Sequence, residues 1–313
     1  MLIAKSKAGK SGCSASPVEV YGVCMQSCNM PMLKALAPAK INLYLHIVGR
    51  RSDRYHLLDS WVAFADVGDE LQVSPSSGLS LECTGEYASL IPVKENSVLG
   101  AAQALAKHYG INDGAHFTLH KHLPVAAGIG GGTADAAAAL RLLVQLWQLK
   151  PTAQEMKNIA LSLGADVPAC LRAESLFMNG IGEVITPAQV IDHWHGVLVN
   201  PRVALSTPAV FAVYDGHLSP AMPHKATFPG QQEAFEYLKQ AHNDLQVAAT
   251  ALVPEIQEVI DALAAQEGCA FSRMSGSGAT CFALFDTEAH AQAAARRLAS
   301  SQPSWWVRKA ILK

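Results

Sequence analysis

Three consecutive glycines, Gly130 to Gly132, stand where an alternating pattern ends and an alanine-rich run begins. The stretch reads Leu123-Pro124-Val125-Ala126-Ala127-Gly128-Ile129-Gly130-Gly131-Gly132-Thr133-Ala134-Asp135. Glycine lets a backbone pass close to a ligand and turn its N–H groups inward. The helix that follows opens with free N–H groups and a partial positive charge. Together these make a cradle for phosphate oxygens, the favoured reading over a plain flexible turn. Two common phosphate loops are excluded. Walker A needs a lysine before its Ser or Thr, and Thr133 follows Gly132 directly. A Rossmann fingerprint needs glycine where Thr133 stands and an acidic residue on a strand about 20 residues on, where this chain still reads as helix.

Around this loop the chain mixes strand and helix patterns. From Ala39 to Val48, Ile41, Leu43, Leu45 and Ile47 alternate with Lys40, Asn42, Tyr44, His46 and Val48, which predicts a half-buried strand with Lys40 and Asn42 on one face. Further strands are expected at Trp61–Ala65, Leu71–Val73, His116–Leu123, Val197–Val199, Phe271–Met274, Cys281–Phe285 and Trp305–Leu312. Helices are expected at Ser97–Tyr109 ended by Gly110, Thr133–Leu149 stopped before Pro151, and Ala153–Leu163 capped by Gly164. Others fall near Pro208–Tyr214, Asn243–Gln266 and Glu288–Ser300, with a surface loop over His217–Gly230. The order predicts an α+β fold. Asp135 and Arg141 interrupt the apolar run of the alanine-rich stretch Ala134–Leu149, as suits a soluble amphipathic helix.

Composition narrows the function. The 313 residues carry a formal net charge of −2, without the basic excess of a nucleic-acid binder. No apolar run is long and charge-free enough to cross a bilayer, so neither nucleic acid nor membrane is an expected partner. Seven scattered cysteines with no paired CxxC point to a reducing compartment, the cytoplasm. Residues 1–31 are Ser-, Gly- and Lys-bearing and lack the apolar segment of a signal peptide. They read as a dispensable tail, or as an extended start with the true first residue at Met32, and a targeting peptide is the alternative.

Three glycine- or lysine-bearing segments recur in a telling order. Pro38-Ala-Lys40-Ile-Asn42-Leu, the loop above and Met274-Ser275-Gly276-Ser277-Gly278-Ala279-Thr280 resemble the three motifs of the galactokinase, homoserine kinase, mevalonate kinase and phosphomevalonate kinase (GHMP) superfamily. Further segments resemble its 4-diphosphocytidyl-2-C-methyl-erythritol kinase branch. They are Gly49-Arg-Arg-Ser-Asp53-Arg-Tyr55-His56, Glu95-Asn96-Ser97, Leu163-Gly-Ala-Asp166-Val-Pro168, Gly180-Ile-Gly182-Glu183 and Asn243-Asp244-Leu245. The likeness runs from about Met32 to Lys313. One position departs: Arg54 stands where the branch usually has glycine, so a loop that wanted a positive φ there would have to adjust. Ala126 and Ala127 also replace the commoner Gly or Ser, a mild change that still permits close approach.

The resemblance implies the two-domain GHMP kinase fold, residues 32–190 and 191–313, with ATP and a cytidyl-linked alcohol between the domains. It implies ATP contacts at Asn96, Pro124 through Ala134, and Ser275, Gly276, Ser277 and Gly278. Asn42, Tyr55 and His56 would meet the acceptor, with Tyr55 and His56 on its cytosine. Mg²⁺ is expected to accompany ATP, since it neutralises the β and γ oxygens; no protein metal site is expected. Lys40 and Asp166 would carry catalysis.

Chemistry alone leaves that last pair open. A carboxylate can accept the hydroxyl proton during phosphoryl transfer, and a nearby ammonium can orient the acceptor oxygen. Asp166 could equally be a turn or capping aspartate after Gly164, and Lys40 a solvated strand lysine. His116, His120 and His122 share a strand face, and a solvated polar face explains them better than zinc. Asp53 and Asp59 read as surface carboxylates rather than a second dyad. The rival functions are a homoserine- or mevalonate-type kinase, which would lack the Tyr55-His56 segment, and a non-catalytic nucleotide sensor, which would lack Lys40 or Asp166. Oligomeric state is not legible in the sequence.

Overall fold

Alternation and glycine punctuation produce a mixed set of elements in the computed structural model, which describes residues 32–188, 193–225 and 227–313. The expectations for the tail fall on residues 1–31, outside the described residues, and the expected domain boundary after residue 190 falls in a second undescribed stretch. In chain order come β1 (Leu33–Arg50), β2 (His56–Ser76), β3 (Leu79–Thr84), α1 (Ser97–Tyr109), β4 (Gly114–His120), α2 (Gly131–Leu146), α3 (Ala153–Leu163), α4 (Val167–Arg172), β5 (Leu176–Gly180) and β6 (Val184–Pro187). The later elements are β7 (Trp194–Asn200), α5 (Thr207–Val213), α6 (Gln231–Lys239), α7 (Gln246–Leu252), α8 (Glu255–Ala264), β8 (Cys269–Met274), β9 (Cys281–Phe285), α9 (Glu288–Ser301) and β10 (Trp306–Leu312).

The strands run β3-β4-β2-β10-β7-β9-β8, with β1 and β5 also on β2 and β6 on β5. Ala65 of β2 pairs with Leu312 of β10, which joins the first-half strands to the second-half strands. α2 packs over β1 and β2 with α4 beside it on β1, α1 packs on α2 and β3, and α8 and α9 pack against β7, β8, β9 and β10. Three apolar clusters result, one under each helical layer and one between them around Trp61, Trp306 and Phe282. Large aromatic areas of this kind dominate core energetics.

Caps behave as their residues demand. The Asn96 side chain accepts from Val98 N–H at the start of α1, and Gly110 ends it with φ 66°. Thr152 and Glu155 form a reciprocal capping box on α3. The expected helix Asn243–Gln266 is instead two, α7 and α8, because Pro254 cannot continue the first. The expected strands Trp61–Ala65 and Leu71–Val73 fuse into β2, and α2 begins two residues early because Gly131 and Gly132 are already helical. β1 is not half-buried: Ala37 to Ile47 are all buried, so its polar face looks into protein and the cleft.

Asp135 is a second surprise. It does not face solvent but lies 2.7 Å from Lys121 Nζ, whose other partner is Asp69 at 2.5 Å. All three side chains are buried. Asp69 Oδ1 also accepts the N–H groups of His122 and Leu123, which fixes the chain entering the glycine loop. Burial, opposed by Lys121 and aided by the Asp69 charge, pushes the Asp135 carboxyl up to about 7. One ammonium thus serves two carboxylates. Lys121→Met would leave both uncompensated, and chemical denaturation should show a loss of about 3–5 kcal/mol. The raised carboxyl also sets a pH slope. Folded Asp135 keeps a proton between its ordinary value near 4 and about 7 while the unfolded chain has lost it, so this group lowers stability as pH rises through that window. In denaturant titrations across that range, wild type minus Asp135→Asn should fall with rising pH; a flat difference refutes the shift.

Candidate active site

The site is built by main chain before any side chain takes part. The Lys40 N–H donates to Ile129 O at 2.9 Å, and the Thr280 N–H donates to Ala127 O at 3.1 Å. A Cβ added at Gly128 would stand 2.6 Å from Gly278 N and from Ser275 O, and one at Gly276 would stand 2.5 Å from Gly128 O. The segments at 124–135 and 274–280 therefore meet because Gly128 and Gly276 lack side chains. Gly130 adopts φ 66° at the N-terminus of α2, and its missing side chain leaves room for the Lys40 stem, 3.3 Å from where a Cβ would be.

These segments wall a cleft of about 1120 Å³. It is lined by Lys40, Asn42, Asn96, Pro124 through Gly128, Gly130 through Thr133, Asp166, Gly276 and Ser277. Four of the expected ATP contacts sit behind that wall instead. Ile129 is buried and offers its carbonyl to Lys40, Ala134 packs in the α2 core, Ser275 receives the Asn42 N–H, and Gly278 backs Gly128. Ala126 takes a left-handed φ of 52°, a conformation that glycine adopts more readily than alanine.

Lys40 Nζ donates to Asp166 Oδ2 at 2.7 Å. The lysine side chain is 6% exposed and the aspartate 35%, so the carboxylate is the open member of the pair. Asp166 occupies the N-cap position of α4 but makes no capping hydrogen bond, and Lys40 is not solvated. Of the readings left open by the sequence, the ion pair is the one the fold adopts. Oδ1 of Asp166 lies against Gly182, where a Cβ would come within 2.7 Å, and Gly182 has φ 121°.

Tyr55 and His56 lie outside the residues lining the cleft. Tyr55 is 61% exposed. His56 stacks on Phe211 with centroids 4.8 Å apart and planes at 17°, and Phe211 lines the cleft. Burial, then the Arg50 charge, lowers the His56 pKa. The expected adjustment at Arg54 does not occur: Arg54 itself takes φ 74°. Asp59 corrects another expectation. It is fully buried, accepting from Met222 N, Asn179 and Tyr44 and facing His224 at 2.7 Å. Its partners lie far away in sequence, so no local pattern marks it. Phe211 was likewise read only as part of a helix. His116 pairs with Ser80 and His120 with Thr84, and the described residues hold no group of three or more His, Cys, Asp or Glu that could bind a metal.

Fold and site define a small-molecule kinase of the GHMP type. The family model for the GHMP kinases N terminal domain matches residues 96–174, and that for the GHMP kinases C terminal matches 230–303. A 4-diphosphocytidyl-2-C-methyl-D-erythritol kinase from Paramagnetospirillum magneticum is 51% identical over 88% of this chain and 97% of its own length. One from Cereibacter sphaeroides is 48% identical over 88% and 98%. The crystal structure of a 4-(cytidine 5'-diphospho)-2C-methyl-D-erythritol kinase superposes with a TM-score of 0.74 at 31% identity, covering 89% of this chain and 99% of that one. A homoserine kinase from Cytophaga hutchinsonii shares the fold at 17% identity and a TM-score of 0.70, covering 89% and 94%. The chain belongs to the 4-diphosphocytidyl-2-C-methyl-D-erythritol kinase family.

Gly182 gives the geometry a direct check. Gly182→Ala should push the Asp166 carboxylate aside and lower kcat by about 10²-fold, the scale set by small misplacements of reacting groups. ATP affinity by calorimetry should not change; a normal kcat would detach Gly182 from the carboxylate.

Proposed function

We propose that this chain transfers the γ-phosphoryl group of ATP to the 2-hydroxyl of 4-diphosphocytidyl-2-C-methyl-D-erythritol, giving ADP and the 2-phosphate in the non-mevalonate route to isoprenoid precursors. One observation carries the reading: a buried lysine and a half-open aspartate, 2.7 Å apart, on the wall of the cleft that the glycine loops line. Its 51% and 48% identical relatives bear that enzyme's name.

Phosphoryl transfer asks the protein for an aligned hydroxyl, donors on the moving phosphoryl group and a proton acceptor. The N–H groups at the start of α2 and the second glycine loop face the phosphates. Asp166 accepts the hydroxyl proton as the new P–O bond forms and the bond to the β-phosphate oxygen breaks. Lys40 holds Asp166 and stabilises the attacking oxygen. Asp166 and the exposed Glu95 are the cleft carboxylates open enough to contribute to Mg²⁺, which binds through one or two carboxylates plus substrate phosphates. When bound with ATP, that ion neutralises charge on the β and γ oxygens. His56, stacked on Phe211, takes the cytosine, with Tyr55 beside it in sequence. Its lowered pKa keeps the ring neutral near pH 7, with one donor and one acceptor nitrogen for the base edge. The site divides residues 32–190 from 191–313. No described helix is long and apolar enough to cross a membrane, the four described cysteines are free, and the cytoplasm suits both.

The test is ATP consumption by purified protein against a panel of alcohols that includes the cytidyl compound. Absence of turnover with it would reject the assignment. Asp166→Asn should keep ATP binding and lose about 10²–10⁴-fold in turnover; activity near wild type would remove Asp166 from the chemistry. His56→Ala should raise the acceptor KM, spare that of ATP and narrow the kcat/KM ratio of cytidyl to uridyl acceptors, because each mispaired buried group costs about 1–3 kcal/mol. An unchanged ratio would place base recognition elsewhere.

A further inference from the structure

Asn42 sits on the cleft wall two residues along β1 from Lys40, on the same face. It is 1% exposed. Its Nδ2 donates to Ser60 Oγ at 2.8 Å, while Oδ1 has no partner among the described residues. Oδ1 lies beside another cleft residue: a Cβ built on Gly276 would be 3.5 Å from it. The two ends of an asparagine amide have the same shape, so the hydrogen bonds around them decide which way it faces.

Ser60 decides it here. Its one hydroxyl proton goes to the Tyr44 carbonyl at 2.5 Å, so its oxygen can only accept from Asn42. The group turned toward Ser60 must be the amide NH₂. Oδ1 is left as a bare acceptor. The shift of register between Asn42 and Tyr44 allows this, because it sets the Tyr44 carbonyl against Ser60 rather than in an even ladder. The Asn42 N–H is fixed as well, on Ser275 Oγ at 3.0 Å. A buried acceptor without a donor is costly, and a ligand hydroxyl would satisfy it.

We propose that Ser60, which is fully buried, is a positioning residue for the acceptor alcohol: it locks the Asn42 amide with its oxygen free, so that this oxygen takes a hydrogen bond from an acceptor hydroxyl. At this point the cleft accepts an O–H or N–H and disfavours a carbonyl or carboxylate oxygen. The inference rests on the alcohol-kinase reading and adds to it a residue that touches no ligand.

The test is steady-state kinetics of Ser60→Ala and of the near-isosteric Ser60→Cys, whose thiol is a weak acceptor. Either variant frees the amide to turn. For the alcohol, kcat/KM should fall about tenfold, mainly in KM, the loss of one ordinary hydrogen bond. The KM for ATP should stay within about twofold of wild type. An unchanged alcohol KM overturns the proposal. So does a parallel rise for both substrates with a lowered Tm, which would mark Ser60 as a packing residue. If Ser60→Ala does not fold, Ser60→Cys gives the same reading. Both variants are compared on whichever alcohol the wild type phosphorylates, so a wrong substrate assignment and a wrong role for Ser60 give different results.

Discussion

Main chain touches main chain where the two glycine loops meet, and the cleft exists only because it does. Gly128 and Gly276 leave no space for a Cβ. The Thr280 and Lys40 N–H groups tie the first loop to the second and to β1. Glycine gives up more conformational freedom on folding than any other residue. The ordering of both loops is therefore unfavourable on its own and must be offset by burial elsewhere. The apolar clusters on either side of the central sheet supply that burial.

A few buried polar side chains complete the irregular segments that the sheets leave unpaired. Asn243 donates to Met274 O and Gly276 O in the first half of the second loop. Arg273, nearly buried, donates to Leu43 O, Leu238 O and Ala241 O, and burial lowers its pKa to about 10. Asp69 does the converse for the N–H groups of His122 and Leu123. Buried backbone groups must find partners, and a loop that departs from regular structure can find them only in side chains or water. The polar residues of this core thus hold the shape of the site without entering it.

That division explains what the sequence made legible. The α+β class, the ends of α1 and α3 and the glycine loop before α2 follow from local rules, namely alternation, caps and a glycine run, whereas the motifs at 38–42 and 274–280 stand out only through the family resemblance. The resemblance then brought Lys40 and Asp166 together across 126 residues, which no local rule does. Residues whose roles depend on distant partners stayed hidden. Asp59 was read as a surface carboxylate although residues 15 to 165 positions away surround it. Asp135 looked like the polar side of a helix, because the alanines around it hide how completely α2 is enclosed. β1 misled in the same way. Its alternation is real, but the polar face meets the cleft and the second-half elements instead of water.

Arg54 carries the argument about backbone control to its limit. A non-glycine residue at φ 74° is strained by roughly 1–2 kcal/mol, and the loop could have relaxed by unwinding. It does not. Arg51 N–H donates to Tyr55 O and Arg54 N–H to Arg51 O, closing a turn whose shape is set by main-chain hydrogen bonds. The strain falls on one exposed residue, while His56 two positions later keeps its place on Phe211. Ala126 repeats the pattern in the phosphate loop, with φ 52° and its carbonyl neighbour Ala127 still paired to Thr280. In both places a residue with a side chain holds a left-handed conformation beside main-chain hydrogen bonds. A fold that defines its site through main-chain contacts can absorb such side chains wherever a Cβ meets open space. It cannot absorb them at Gly128 or Gly276, where the Cβ would occupy the contact itself.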